Sequence, residues 1–260
     1  MRRDIIIGDI HGCIDEFVEL VETVKLAPGD KVIPVGDIVD KGPASDQVVA
    51  YCRKLRHDGF LDEAVGGNHE DKHRRWRRHV EIEARTGKRN PMTDRNGDLV
   101  KITPTLTRED IEFLDSMPMF HRLSGGRGLV VHAGISPWLK SLPAVAPTWA
   151  DRNDILNTCF WIRCIAPNGA AVGLGKEKPE DTYWASSYDG RFGHVFFGHQ
   201  PFKEPQPHQF QHATALDLGC CYGMHLAAAV VPDDGAVEYV TVKARKQYST
   251  SFFEGPPDLF

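Results

Sequence analysis

The chain alternates short apolar runs with polar turns that carry glycine. Asp4–Gly8 is apolar through Ile5, Ile6 and Ile7 and stops at Gly8-Asp9, which predicts a short buried strand. Ile14–Leu26 places Phe17, Leu20, Val21 and Val24 at helical spacing and ends before Pro28-Gly29. Lys31–Val35 predicts a second strand, again closed by Gly-Asp. Pro43 stands where a helix begins, and Val48, Val49, Cys52 and Leu55 keep the helical period through Arg56. Ala64–Val65 then runs into Gly66-Gly67-Asn68. Strand, glycine loop and helix in repetition predict an α/β sheet with right-handed crossovers.

From about Arg85 to Thr107 the pattern lapses into a polar stretch with scattered Gly, Pro and Asn, an irregular excursion within one domain spanning 1–260. No internal repeat or shift in composition marks a boundary. Thr107 caps a short helix through Leu114, with Glu109 and Asp110 in its first turn. Gly128–Val131 and Val195–Phe197 predict strands, and Ala146–Gly175 reads as irregular. Ala213–Leu218, Leu226–Val231 and Val237–Val242 predict closing antiparallel strands, with Asp233-Asp234-Gly235 as a hairpin turn.

Five segments repeat one arrangement: an apolar stretch ends, a glycine allows a sharp turn, and a metal-type donor stands beside it. They are Gly8-Asp9-Ile10-His11-Gly12, Gly36-Asp37-Ile38-Val39-Asp40, Gly67-Asn68-His69-Glu70, Val131-His132-Ala133-Gly134 and Gly198-His199. Loops at the carboxyl ends of strands converge on one crevice, so distant segments can share a site. A lone Gly-Asp is usually a turn. Five such segments in order would bury many polar groups at high cost unless a ligand joined them. Carboxylates with neutral imidazoles suit Mn, Fe or Zn better than Ca or Mg.

The ordered set GDIHG, GDIVDKG, GNHE, VHAG and FGH resembles the PPP-type branch of the calcineurin-like metallophosphoesterases. Its bacterial members match best: small Ser/Thr and Tyr protein phosphatases and the related diadenosine-tetraphosphate hydrolases. WASSYDGRFGHVFFGHQP and ALDLGCCYG resemble the same group. The resemblance implies a β-sandwich of two mixed sheets flanked by helices, with two divalent metals, Mn first, at one end. It assigns Asp9 and His11 to one metal, Asp37 to the bridge, and Asn68, His132 and His199 to the other. A hydroxide bridging the metals would attack phosphorus directly, and His69, held by Asp40, would protonate the leaving group. Lys41 stands where the family motif carries Arg, a point charge in place of a planar fork. A second phosphate cation, Arg163, matches through Trp161-Ile162-Arg163.

Composition limits the partners. The net charge of -5 and pI of 6.2 give no overall basic signal for nucleic acid. The longest apolar run, Leu226–Val231, is far below the ~20 residues of a membrane span. The amino-terminal residues do not read as a leader, so a cytoplasmic protein without a membrane partner is expected. The six cysteines form no CxxC, and Cys220–Cys221 reads as a pair of buried free thiols. His57, His73, His79, His121, His194, His208, His212 and His225 read as surface or packing residues. The basic run from Lys72 to His79 reads as a solvated helix face rather than a wall for polyanions, and is the one route to nucleic acid. Glu70 leans the expected activity toward a Ser/Thr-type phosphatase acting on phosphoproteins. The alternative is a hydrolase of dinucleoside polyphosphates or nucleic-acid phosphate ends. An inactive binding scaffold is disfavoured because all six candidate ligands and His69 are present.

Overall fold

The computed structural model describes residues 2–149 and 154–250. Its first half contains β1 (Arg3–Ile7), α1 (Ile14–Val24), β2 (Lys31–Pro34), α2 (Ser45–His57), α3 (Asn68–Thr86), α4 (Asp98–Ile102), α5 (Arg108–Asp115), β3 (Phe120–Arg122) and β4 (Leu129–Val131). Then come β5 (Cys164–Ile165), β6 (Ala171–Val172), β7 (Thr182–Tyr183), α6 (Trp184–Ser187) and β8 (Val195–Phe197). The chain closes through β9 (His208–Gln209), β10 (Ala213–Ala215), β11 (Asp217–Leu218), β12 (His225–Pro232) and β13 (Glu238–Lys243).

Two mixed sheets form the frame. In the first, β1 lies parallel to β2 and antiparallel to β12, which also carries β11 and β13. The second runs β3-β4-β8-β10-β9, with β4 and β10 parallel to β8. Strand alternation distributes the core. Ile5 and Ile7 pack with Phe17, Leu20, Val48 and Cys52 of the helices on one face. Ile6, between them, packs beside Ile33 of β2 and, across the sandwich, with Val130 and Phe196. The outer face of the second sheet buries Leu129, Val131, Val195 and Phe197 against Tyr183 and Trp184. Helices, sheet, sheet and a loop-rich layer therefore stack in that order, the sandwich that the motif resemblance implies.

The parallel pairs set the site. Asp9, Asp37, His132 and His199 all follow the carboxyl ends of β1, β2, β4 and β8 within a few residues. Thr107 caps α5 as expected, its hydroxyl accepting from Asp110 N–H at 3.2 Å. Several local readings change, among them 146–175, where β5 and β6 pair within a stretch that reads as irregular. Ala64–Val65 is buried but is not a strand; Val65 N–H makes a single bond to the Pro34 carbonyl at 2.9 Å. The run 213–218 does not stay in one antiparallel sheet. β10 runs parallel to β8, and after Leu216 the chain enters the other sheet as β11. A helix, α4, interrupts the polar excursion, and β3 adds an edge strand. All six cysteines are buried and unpaired. No helix among the described residues is long and apolar enough to cross a membrane.

Candidate metal centre

Asp37 lies at the middle of the convergent loops. Its Oδ1 is 3.4 Å from His132 Nε2 and its Oδ2 is 3.6 Å from His11 Nε2, so one carboxylate faces two groups of donors. On the His132 side, Asn68 Oδ1 lies 2.9 Å from His132 Nε2 and 2.8 Å from His199 Nδ1. On the His11 side, Asp9 Oδ2 is 3.9 Å from His11 Nε2. The backbone N–H of His199 donates to both Asp9 oxygens at 3.1 Å, which ties the two sides together. All six residues expected to share a site are brought together.

The donors suit a divalent cation. His11 Nδ1 lies 2.8 Å from the Val39 carbonyl and His132 Nδ1 lies 3.2 Å from the Val35 carbonyl. A carbonyl can only accept, so both rings carry their proton there and turn a bare Nε2 inward. Burial, reinforced by Lys41 at His11 and by His132 at His199, pushes both imidazoles well below their ordinary pKa. Burial likewise lowers His132. Three neutral imidazoles thus face carboxylates that are themselves crowded. Burial, then Asp217 and Asp37, pushes Asp9 well above the ordinary carboxylate range. Burial opposes ionisation of Asp37 too, but the surrounding His132, His69 and His11 outweigh it and hold Asp37 far below that range. His199 Nε2 is buried without a partner. Such an acceptor-rich cluster is what a cation would satisfy.

The backbone is bent to make this possible. Six non-glycine residues among those described have positive φ, and five of them are His11, Asp37, Asp40, Lys41 and His199. Each costs roughly 1–3 kcal/mol, and such residues gather at functional sites. Two glycines give the room. A Cβ on Gly67 would lie 2.2 Å from Asp37 Oδ1, and one on Gly198 would lie 1.9 Å from Asp9 Oδ1.

A family model for calcineurin-like phosphoesterases matches residues 4–203. This chain belongs to that family. Among its relatives, the asymmetrical bis(5'-nucleosyl)-tetraphosphatase PrpE of Bacillus subtilis (strain 168) is 25% identical over 259 residues, covering 95% of this chain and 97% of its own. The protein of that name from Geobacillus thermodenitrificans (strain NG80-2) is 29% identical over 240 residues, covering 88% and 90%. A crystal structure provisionally described as a diadenosine tetraphosphatase superposes with a TM-score of 0.67 at 27% identity, covering 93% of each chain. A Saccharomyces cerevisiae protein serine/threonine phosphatase superposes with a TM-score of 0.62 at 15% identity, covering 98% of this chain and 81% of its own, which shows the shared fold.

Within this calcineurin-like phosphoesterase, the remaining expected site residues surround the centre. His69 Nδ1 lies 2.6 Å from Asp40 Oδ2, and His69 Nε2 lies 3.8 Å from Asp37 Oδ2. The Lys41 ammonium donates to His11 Nε2 at 2.8 Å and stands 5.3 Å from the centre of the Tyr222 ring. The buried Arg163 guanidinium donates to Gln200 Oε1, keeps an unpartnered Nε, and adds to the lowering of His199.

Three further residues surround the centre in roles that the sequence patterns did not assign to them. His73, expected only to pack or face solvent, is buried with Nε2 2.6 Å from Asp40 Oδ1. A histidine one helical turn beyond His69 shares its helix face, and that spacing was the available signal. Asp217 is buried beside Asp9, and burial pushes its pKa up to about 6. Glu70 has a structural role. Its Oε2 accepts the N–H groups of Asp37 (2.9 Å) and Gly67 (2.8 Å), and its Oε1 those of Ile38 (2.9 Å) and Val39 (3.3 Å). It fixes the Asp37 loop. The basic run is also no plain solvated face: His73 is buried, Arg74 and Arg75 both bind Asp71, and Arg77 binds Asp115.

Proposed function

We propose that this chain hydrolyses dinucleoside polyphosphates of the bis(5'-nucleosyl) tetraphosphate class at a centre of two divalent metals. The Asp37 carboxylate carries the reading, because its two oxygens face His132 and His11 separately. Asp9, His11 and Asp37 would hold one ion, and Asp37, Asn68, His132 and His199 the other. Oxygen donors mixed with neutral imidazoles favour manganese, with iron or zinc as alternatives. Bound there, the ions activate water and neutralise charge on the phosphoryl oxygens.

The protein residues handle binding and protons. Lys41 and Arg163 grip phosphate oxygens as cations. His69 donates a proton from Nε2 to the leaving phosphate oxygen as the phosphoanhydride bond breaks. Asp40 accepts from Nδ1, which fixes the orientation of the ring. Water supplies the oxygen added to phosphorus, and two nucleotides leave.

Similarity to tetraphosphatases along nearly the whole chain supports the nucleotide substrate. The phosphoprotein alternative leans on Glu70, and that carboxylate is engaged with loop backbone. The test is a panel of diadenosine tetraphosphate, mononucleotides and phosphopeptides, each with manganese. The expected result is a kcat/KM for diadenosine tetraphosphate at least about tenfold above any phosphopeptide, ~1.4 kcal/mol of discrimination. The reverse order overturns the reading.

A further inference from the structure

Asn68 lines a cavity of about 460 Å³ as well as contributing to the metal centre. The geometry of α3 explains the rest of one wall. Asp71, Arg74 and Arg75 follow Asn68 one and two turns on, along the same face, and all line the cavity. Arg74 Nη2 lies 2.5 Å from Asp71 Oδ1 and Arg75 Nε lies 2.7 Å from Asp71 Oδ2. Two cations share one carboxylate, so the wall keeps a net positive charge next to the centre.

The rest of the lining includes the aromatic residues Phe160 and Trp161. Trp161 lines the cavity and remains 37% exposed, so its indole face is open to a ligand. Its ring rests against Gly173, where an added Cβ would come within 3.1 Å. Trp161 also lines a second cavity of about 450 Å³, with Leu174 and Lys176. The Arg74 guanidinium stands 5.0 Å from the ring centre of Trp149, itself 48% exposed. Cations beside the phosphate-cleaving centre and a flat apolar ring beyond them match one ligand chemistry: a phosphate chain ending in a nucleobase. The volume lies in the range of small-molecule sites.

We propose that this cavity is the subsite for one nucleoside half of the substrate, with Arg74 and Arg75 along the polyphosphate and the base stacked on Trp161. The inference rests on the dinucleoside polyphosphate reading and adds where that substrate lies. A phosphopeptide supplies negative charge but no planar base, and would leave Trp161 unused.

The test compares KM values for diadenosine tetraphosphate and for p-nitrophenyl phosphate, which has no nucleoside. Arg75→Ala and Trp161→Ala should each raise the ratio of the first KM to the second by about tenfold, the scale of one charge-assisted bond or one base stack. Both side chains are partly exposed, so neither change removes core. Trp161→Phe, which keeps a stacking face, should restore most of the ratio. If the wild type cleaves diadenosine tetraphosphate and the ratio moves by less than twofold in both variants, the subsite is wrong and the substrate class stands. If the wild type cleaves none, the substrate class fails, and the cavity is judged by ADP alone. Saturable quenching of tryptophan fluorescence by ADP, weakened about tenfold in Arg75→Ala, would retain a nucleotide site there. Equal affinity in the two proteins would remove it.

Discussion

His73 Nε2 lies 2.6 Å from Asp40 Oδ1, while the other oxygen of the same carboxylate lies 2.6 Å from His69 Nδ1. His73 is itself held, with Nδ1 3.0 Å from Thr103 Oγ1. Asp40 is fully buried and bound at both oxygens, so it cannot turn away from His69. His73 is therefore a positioning residue for the proposed acid, acting through Asp40.

His73→Ala should lower kcat by about tenfold for substrates with poor leaving groups, as a buried charge-assisted bond is lost. Metal content should not change. His69→Asn should cost about a hundredfold or more, the usual scale for a missing acid. Both losses should shrink with p-nitrophenyl phosphate, whose leaving group needs little protonation. Equal losses of His73→Ala across all leaving groups would reduce His73 to a packing role.

The longer helices and most strands were legible because apolar positions recur at helical spacing, as in Phe17, Leu20 and Val24, or form short runs closed by glycine, as in Ile5, Ile6 and Ile7. The candidate ligands were legible because each lies just after an apolar run, with a glycine within two residues. What sequence pattern could not carry is pairing partner. The apolar run 213–218 looks the same whether it stays in one sheet or changes sheets at Leu216. The same gap explains Glu70 and His73. Both are polar residues on α3 whose meaning lies in the chain opposite them: loop N–H groups 31 to 33 residues away for Glu70, and Asp40 for His73.

Treatment with a strong chelator should abolish activity, and manganese should restore it better than magnesium. Imidazole donors such as His11, His132 and His199 are poor partners for magnesium, which prefers oxygen and keeps its waters. Activity that survives exhaustive metal removal, checked by elemental analysis, would sink the metal mechanism.

Asp40 also gives the protein a pH dependence of known sign. Burial opposes its ionisation, but the hydrogen bonds to His69 and His73 outweigh burial and hold its pKa below the ordinary carboxylate value. A carboxylate lowered on folding contributes its stabilisation fully above the unfolded value of ~3.9 and loses it as pH falls toward the folded value. Asp40→Asn should therefore be less stable than wild type by about 3–5 kcal/mol at pH 7, the scale for breaking a buried pair. Urea midpoints should show that gap persisting down to about pH 4 and narrowing below it. A gap that instead closes between pH 8 and 6 would place the lost interaction elsewhere.

Lys41 is the sharpest departure from the family motif, and its surroundings define the test. Its ammonium sits between His11 Nε2 and the Tyr222 ring, on a backbone with φ of 63°. A metal held by His11 at the proposed centre would engage Nε2 and leave the ammonium free to reach phosphate, with Tyr222 still beside it. Lys41→Ala should then lower kcat/KM for diadenosine tetraphosphate by about 1–3 kcal/mol, the range for a charge-assisted contact. Lys41→Arg separates two uses of the charge. A monoester dianion gains from a planar two-point clasp, so p-nitrophenyl phosphate turnover should hold or rise. A polyphosphate is gripped along its length by separate charges, and a bulkier guanidinium beside Tyr222 should crowd it, so diadenosine tetraphosphate cleavage should fall. Steady-state kinetics of the three proteins on the two substrates decide the matter. Changes below twofold throughout would mean that Lys41 does not touch substrate.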